Sequence, residues 1–180
     1  MTVAMEPTDE LRRIPMSWED FLDRPETGEY YGGCLVVMPP ASKQHQRIVM
    51  RLTHLLAGGL PSGAEVLPSL GWSPRGVREY LIPDLTVFRD ESDEAVFAGI
   101  PLLVVEVLST NRRDDLVGKV QRYAAWRSPS YWIVDPRDHQ VLTMDLVDGL
   151  YLETGRFTSD RATLRYGDIE VPVDIDALLA

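Results

Sequence analysis

Leu102-Leu103-Val104-Val105-Glu106-Val107-Leu108 carries one charge among apolar residues, and its reading decides the fold. A stretch apolar on both faces is a central strand covered from both sides, not a strand with a wet face. Downstream, the spacing predicts a helix from about Asp114 to Arg127, with Leu116, Val120, Tyr123 and Ala124 as its buried stripe. Pro129 then precedes a short strand, Tyr131-Trp132-Ile133-Val134, ended by Asp135-Pro136. Strand, helix and strand in close succession form a βαβ unit, for which a right-handed parallel crossover is the default. Upstream, Tyr80 to Phe88 and Ala64 to Trp72 read as strands. Before them a helix is expected over Lys43 to Ala57, with Ile48, Leu52, Leu55 and Leu56 at helical spacing and Gly58-Gly59 and Pro61 ending it. The order helix, three strands, helix, strand is an α/β core with a mixed sheet.

Hairpins flank that core. Gly32-Gly33 turns Glu29 to Tyr31 onto Cys34 to Met38, and Asp148-Gly149 turns Val141 to Leu146 onto Leu150 to Glu153. Ser17-Trp18-Glu19-Asp20 resembles a capping box opening a short helix that Pro25 stops. Residues 1 to 16 are expected to be a loosely ordered leader, and 17 to 180 a single domain.

The 180 residues suit one domain, and a chain of this size buries roughly 70% of its unfolded surface without disulfides. With 44% hydrophobic and 26% charged residues, wholesale disorder is excluded. The single cysteine, Cys34, excludes an internal disulfide framework, sits in an apolar strand run as core packing does, and fits a reducing, cytoplasmic setting. No apolar run spans a bilayer, and Met1 to Arg13 has no signal-peptide core. Eighteen basic against 28 acidic residues leave a net charge of −10. Non-specific binding of nucleic acid through the overall field is therefore excluded, and any such activity needs a local site where cations offset the carboxylates.

Two acids occupy positions that cost energy. Asp84 lies in Leu81-Ile82-Pro83-Asp84-Leu85-Thr86-Val87 and Glu106 in the central strand. An ionised carboxylate there needs a cation, a metal or a raised pKa. If the strands are neighbours, both acids reach the same end of the sheet and make the hard, oxygen-rich site that Mg²⁺ prefers. The alternative is a buried ion pair with Arg78, Arg112 or Arg113, or a strand-end carboxylate facing water. Lys119 flanks the buried stripe of its helix and is the candidate cation, against an ordinary Asp115–Lys119 pair one helical turn apart. His45, at the start of the first long helix, reads first as a solvated or capping residue and second as an accessory to the site. Glu29, in the first hairpin, is a possible third acid, although most such glutamates are solvated. His54 and His139 show no partner pattern. No glycine-rich phosphate loop, CxxC or HExxH occurs, and Arg89-Asp90-Glu91-Ser92-Asp93-Glu94 lacks calcium-loop spacing and reads as a solvated loop.

Ile82-Pro83-Asp84-Leu85, Leu103 to Ser109, Asp115-Leu116-Val117-Gly118-Lys119, Tyr123-Ala124 and Pro129 to Pro136 together resemble the Uma-two-type putative restriction endonuclease family, of the PD-(D/E)XK nuclease superfamily. Glu29 to Val37 and Pro39 to His45 resemble its N-terminal pattern, so the likeness covers about residues 17 to 155. It implies a restriction-endonuclease-like αβββαβ core, with Asp84 and Glu106 holding Mg²⁺ or Mn²⁺. Two departures stand out. Leu108 occupies the position two after Glu106 where the superfamily carries lysine, the lysine having moved to Lys119, and the loop from Ser109 to Asp115 is about one residue short. The expected function is metal-dependent hydrolysis of a phosphodiester, in DNA by analogy. Asp84 and Glu106 hold the metal with the Val107 carbonyl as a further ligand, Lys119 orients the attacking water or stabilises the pentavalent charge, and Glu29 and His45 are accessory. The competing expectation is a non-catalytic α/β binding or accessory protein that keeps the fold, favoured by the acidity. Lys43, Arg47 and Arg51 near one helix face give only a thin basic footprint. A third expectation has an RNA or partner-delivered substrate, with a homodimer or second protein adding basic surface and Tyr30, Tyr31 and Trp72 available for stacking on bases if they are not core.

Overall fold

The structure is a computed structural model that describes residues 11–24, 28–90, 92, 94–108 and 114–180, with side chains in the last segment from residue 117 onward. In chain order the elements are β1 (Arg12–Pro15), α1 (Trp18–Leu22), β2 (Glu29–Tyr31), β3 (Cys34–Val37), α2 (Lys43–Ala57), β4 (Glu65–Pro68), β5 (Leu85–Phe88) and β6 (Leu103–Val107). A π-helical turn (Asp114–Lys119) leads into α3 (Val120–Ala125), followed by β7 (Ser130–Asp135), β8 (Gln140–Val147), β9 (Leu150–Phe157), β10 (Arg161–Tyr166), β11 (Ile169–Asp174) and α4 (Ile175–Leu179).

Six strands form one sheet in the order β4-β5-β6-β7-β8-β9. Only β6 and β7 run parallel, Val105 opposite Trp132, and all other neighbours are antiparallel. The expected core and its mixed sheet are therefore present, with β6 buried at every position. Alternation along β6 and β7 sorts their side chains into two cores. Val105, Val107, Trp132 and Val134 meet Ile48, Leu52 and Leu56 of α2 and the β10–β11 hairpin on one face. Val104, Leu108, Tyr131 and Ile133 meet Tyr123, Trp126, Trp72 and Val36 on the other.

Local chemistry explains the ends of the elements. The Ser42 hydroxyl accepts the backbone N–H of His45 at 3.1 Å and opens α2, satisfying a donor the helix leaves unpaired. Ser17 does the same for Asp20 at 3.0 Å. Gly32 and Gly33 turn the first hairpin at φ of +61° and +72°, a region where a Cβ is disfavoured.

Expectations change at three places, and the chain adds elements that the sequence reading did not cover. Residues 12 to 15, placed in the leader, pair antiparallel with β3 and close a three-stranded sheet in the order β1-β3-β2. The strand expected from Tyr80 is regular only from Leu85, because Pro83 has no N–H to give a ladder; Tyr80 and Leu81 make isolated bridges to Tyr30 and Trp72 instead. The helix expected from Asp114 opens as a π turn and becomes α-helical only at Val120. Beyond the second hairpin, β10, β11 and α4 supply Leu164, Val171, Ile175 and Leu178 to the α2 side of the core. Among the described residues no helix is long and apolar enough to cross a membrane.

Candidate active site

The antiparallel register of β5 and β6 sets Leu85 opposite Val105. One step further, past the start of β5, Asp84 stands across from Glu106. Asp84 is thus at the mouth of the strand rather than inside it, a correction that leaves the carboxylate partly exposed. Its Oδ2 accepts the backbone N–H of Val107 at 2.7 Å, which ties it to the residue following Glu106. Its Oδ1 lies 3.1 Å from His45 Nε2. The hydroxyl cap of Ser42 fixes the backbone of His45, so α2 delivers that ring to Asp84. The ordinary reading of His45 as a merely solvated helix start is corrected.

Glu106 points to the face of the sheet that carries α3. Its Oε1 receives Lys119 Nζ at 2.9 Å and the Tyr123 hydroxyl. Lys119 and Tyr123 are one helical turn apart, so one face of the helix aims both donors at a single oxygen. Lys119 Nζ also lies 3.0 Å from Glu29 Oε1, which in turn accepts the Ile82 backbone N–H at 2.9 Å. Glu29, Glu106 and Lys119 are 0%, 2% and 4% exposed. Glu29, a possible third acid of a kind that is usually solvated, is therefore fully enclosed, and its Oε2 has no hydrogen-bond partner among the described residues. Burial, and then the charge of Glu106, push the Tyr123 phenol well above its ordinary value, so it serves as a donor.

Among the described residues, Glu29 and Glu106 meet the Lys119 ammonium and Asp84 meets the His45 imidazole. Carboxylate oxygens gathered in this way suit a hard divalent ion. Among the described residues no three His, Cys, Asp or Glu side chains converge tightly enough to enclose an ion alone. Mg²⁺ asks for less, since it is commonly held by one or two carboxylates with water and phosphate oxygens completing the shell.

Other expected partners lie elsewhere. Arg78 pairs with Glu19 at 3.4 Å on the surface, not with either strand acid. Arg112 and Arg113 fall outside the described residues, as does the Asp115 side chain. Val107, whose carbonyl is the expected backbone ligand, gives its amide to Asp84. Tyr30, Tyr31 and Trp72 are 5%, 4% and 0% exposed and cannot stack on bases. Arg51 is drawn from the basic footprint by its hydrogen bond to the Leu178 carbonyl at 3.0 Å, leaving Lys43 and Arg47 exposed on α2. Tyr123 is the site residue that sequence reasoning missed. It belongs to the expected core stripe, and its spacing of four from Lys119 is the available signal.

A family model described as "Putative restriction endonuclease", named Uma2, matches residues 18–166. This chain belongs to the Uma2 family. An "Uncharacterized protein slr1290" of Synechocystis sp. (strain ATCC 27184 / PCC 6803 / Kazusa) is 31% identical over 169 residues, covering 89% of this chain and 87% of that one. The fold of this Uma2-family chain is shared by a crystal structure from Anabaena variabilis ATCC 29413, described as a "putative nuclease belonging to DUF820". The two superpose with a TM-score of 0.76 at 19% identity, over 92% of this chain and 98% of that one. The αβββαβ arrangement is thus a restriction-endonuclease-like fold.

Proposed function

We propose that this chain is a divalent-metal-dependent nuclease that hydrolyses phosphodiester bonds, in DNA, at the end of the sheet where Asp84 and Glu106 stand side by side. The observation that carries this reading is that Asp84 is tied to the Val107 amide, next to Glu106, while Glu106 itself is paired with a buried lysine on the following helix. Mg²⁺ or Mn²⁺, when bound, would polarise the phosphoryl oxygen and lower the pKa of a water.

The chain's own residues supply the rest. Asp84 and Glu106 offer the anionic oxygens that would hold the ion, with the Val107 carbonyl beside them. The Val107 amide and His45 hold the Asp84 carboxylate from two directions. Tyr123 and Lys119 fix Glu106 through one oxygen. Lys119, desolvated between Glu29 and Glu106, would stabilise negative charge developing on the phosphoryl group, an interaction that low-dielectric surroundings strengthen. Glu29 anchors that ammonium and the backbone of Ile82, two residues before Asp84.

Purified protein with supercoiled and linear DNA, and with RNA, in millimolar Mg²⁺ or Mn²⁺ tests the reading. Cleavage is expected that EDTA abolishes and that Asp84→Ala and Glu106→Ala each lower by two orders of magnitude or more, alongside loss of Mn²⁺ binding by calorimetry. Activity surviving both substitutions removes the assigned roles. No metal binding at millimolar concentration leaves the fold in use as a non-catalytic accessory protein.

A further inference from the structure

The aromatic residues expected from the sequence to meet bases are buried, but a different set lines an open cleft beside the site. A cavity of about 530 Å³ lies between α1 and residues 94 to 98. Trp18, Phe21 and Tyr80 form one aromatic wall, with Trp18 stacked on Phe21 at 5.6 Å between centroids and Phe21 tilted against Tyr80 at 5.5 Å. Arg24 and Glu94 stand at its rim. All three rings are only half-buried.

The floor of the cleft belongs to the same backbone that builds the candidate active site. Gly28 lines it and precedes Glu29; Ile82 lines it and gives its N–H to Glu29 Oε1. Tyr80 feels the Glu29 charge, which adds to burial in raising its phenol. Ile82 also precedes Asp84 by two residues, so the cleft and the candidate site share one stretch of backbone.

We infer that this cleft receives one unpaired nucleobase of the strand whose phosphodiester lies at the candidate site, stacked on the Trp18–Phe21–Tyr80 wall. This rests on the nuclease reading and deepens it. A base has two apolar faces and a polar edge, which matches an aromatic wall with a charged rim and a volume within the range of small-ligand pockets. A base held in a duplex keeps both faces stacked and cannot enter, so the cleft selects single-stranded, frayed or extruded positions. Stacking is also the form of affinity available to a chain of net charge −10, because it does not depend on neutralising phosphates.

The tryptophans make the test direct. Of the four, Trp72, Trp126 and Trp132 are 0%, 8% and 0% exposed, so Trp18 is the one a stacked base can quench. Single-stranded DNA, single-stranded RNA and a blunt duplex of equal length are titrated into the full chain in EDTA, where no cleavage occurs, with anisotropy of a labelled strand as a second readout. Saturable quenching by the single strands but not the duplex is expected, and Trp18→Phe should abolish the quenching signal. Phe21→Ala should weaken binding about tenfold or more. Ala98→Leu, which fills the cleft from the opposite wall and leaves every ring in place, should do the same with an unchanged circular dichroism spectrum. Absence of saturable single-strand binding, equal quenching by the duplex, or binding that Ala98→Leu leaves unchanged overturns the inference. The metal-free binding and the metal-dependent cleavage fail separately, so loss of one does not obscure the other.

Discussion

Lys119 is shared between two carboxylates that are all but sealed from water, which makes it the most consequential side chain of the site for stability as well as chemistry. Removing one partner of a buried ion pair leaves uncompensated charge, at a cost of about 3–5 kcal/mol. Lys119→Met should therefore lower the midpoint of urea unfolding sharply, and Glu29→Gln added to it should recover part of the loss. A surface lysine would show neither effect. Tyr123→Phe deletes one hydrogen bond to the Glu106 carboxylate, worth about 1.5–3 kcal/mol, and equilibrium unfolding measures it without any substrate. The acids were legible in the sequence because a charge inside an apolar run is conspicuous. Their partners were less so. His45 and Glu29 meet the site only through long-range folding, and nothing local to either residue marks it. Tyr123 was hidden by its own aromaticity, which reads as core, and it is indeed core at the ring while polar at the hydroxyl.

The elements were legible in proportion to how strongly local chemistry overdetermines them. α2 matches its expected span because a serine cap, a regular apolar stripe and a double glycine agree. Ser42→Ala should cost about 1 kcal/mol of unfolding free energy and, by loosening the turn that carries His45, weaken Mn²⁺ binding in calorimetry more than a stability change alone would. The π turn before α3 was not legible, since a single wide turn leaves the apolar stripe of the following residues intact. The β10–β11 hairpin was open to reading through its alternation, with Leu164 and Tyr166 buried between exposed residues. Pro172 fits a strand there because, among the described residues, β11 pairs with β10 alone and so tolerates a missing donor on its free side. After it, the Asp176 carboxylate accepts from His139 Nε2 at 2.8 Å and from the Asp160 backbone N–H at 3.1 Å. The His139 bond first, and then the Asp160 amide, hold its pKa below the ordinary value of 3.8. A depressed folded-state pKa stabilises above the unfolded value and is lost as pH falls through the folded one. Asp176→Asn should therefore narrow the gap in stability between neutral pH and pH below about 3.8, read from melting temperatures across that range.

At the scale of the whole molecule, the excess of ten negative charges sets how a polyanion can be held. A protein that grips duplex DNA through 6–10 phosphates loses roughly 10³–10⁵ in affinity between 50 mM and 200 mM salt, because each neutralised phosphate releases counterions. On α2 the described surface offers Lys43 and Arg47 near the site end of the helix, with Arg51 committed to the carbonyl of Leu178. Two such contacts predict a shallower dependence, about tenfold over the same salt range by the slope of roughly 0.9 per phosphate. Divalent ions act in the opposite direction, since an ion at Asp84 and Glu106 removes local negative charge where the phosphate must approach. Anisotropy of a labelled DNA strand with non-hydrolysable linkages across a sodium chloride series, with and without Mn²⁺ in the unaltered protein, separates the two contributions. Affinity should fall by no more than about tenfold between 50 mM and 200 mM sodium chloride and rise with Mn²⁺. A steep loss with sodium chloride in the absence of Mn²⁺ would require a basic footprint larger than Lys43 and Arg47 provide, and would move the weight of recognition from the carboxylate site to that surface.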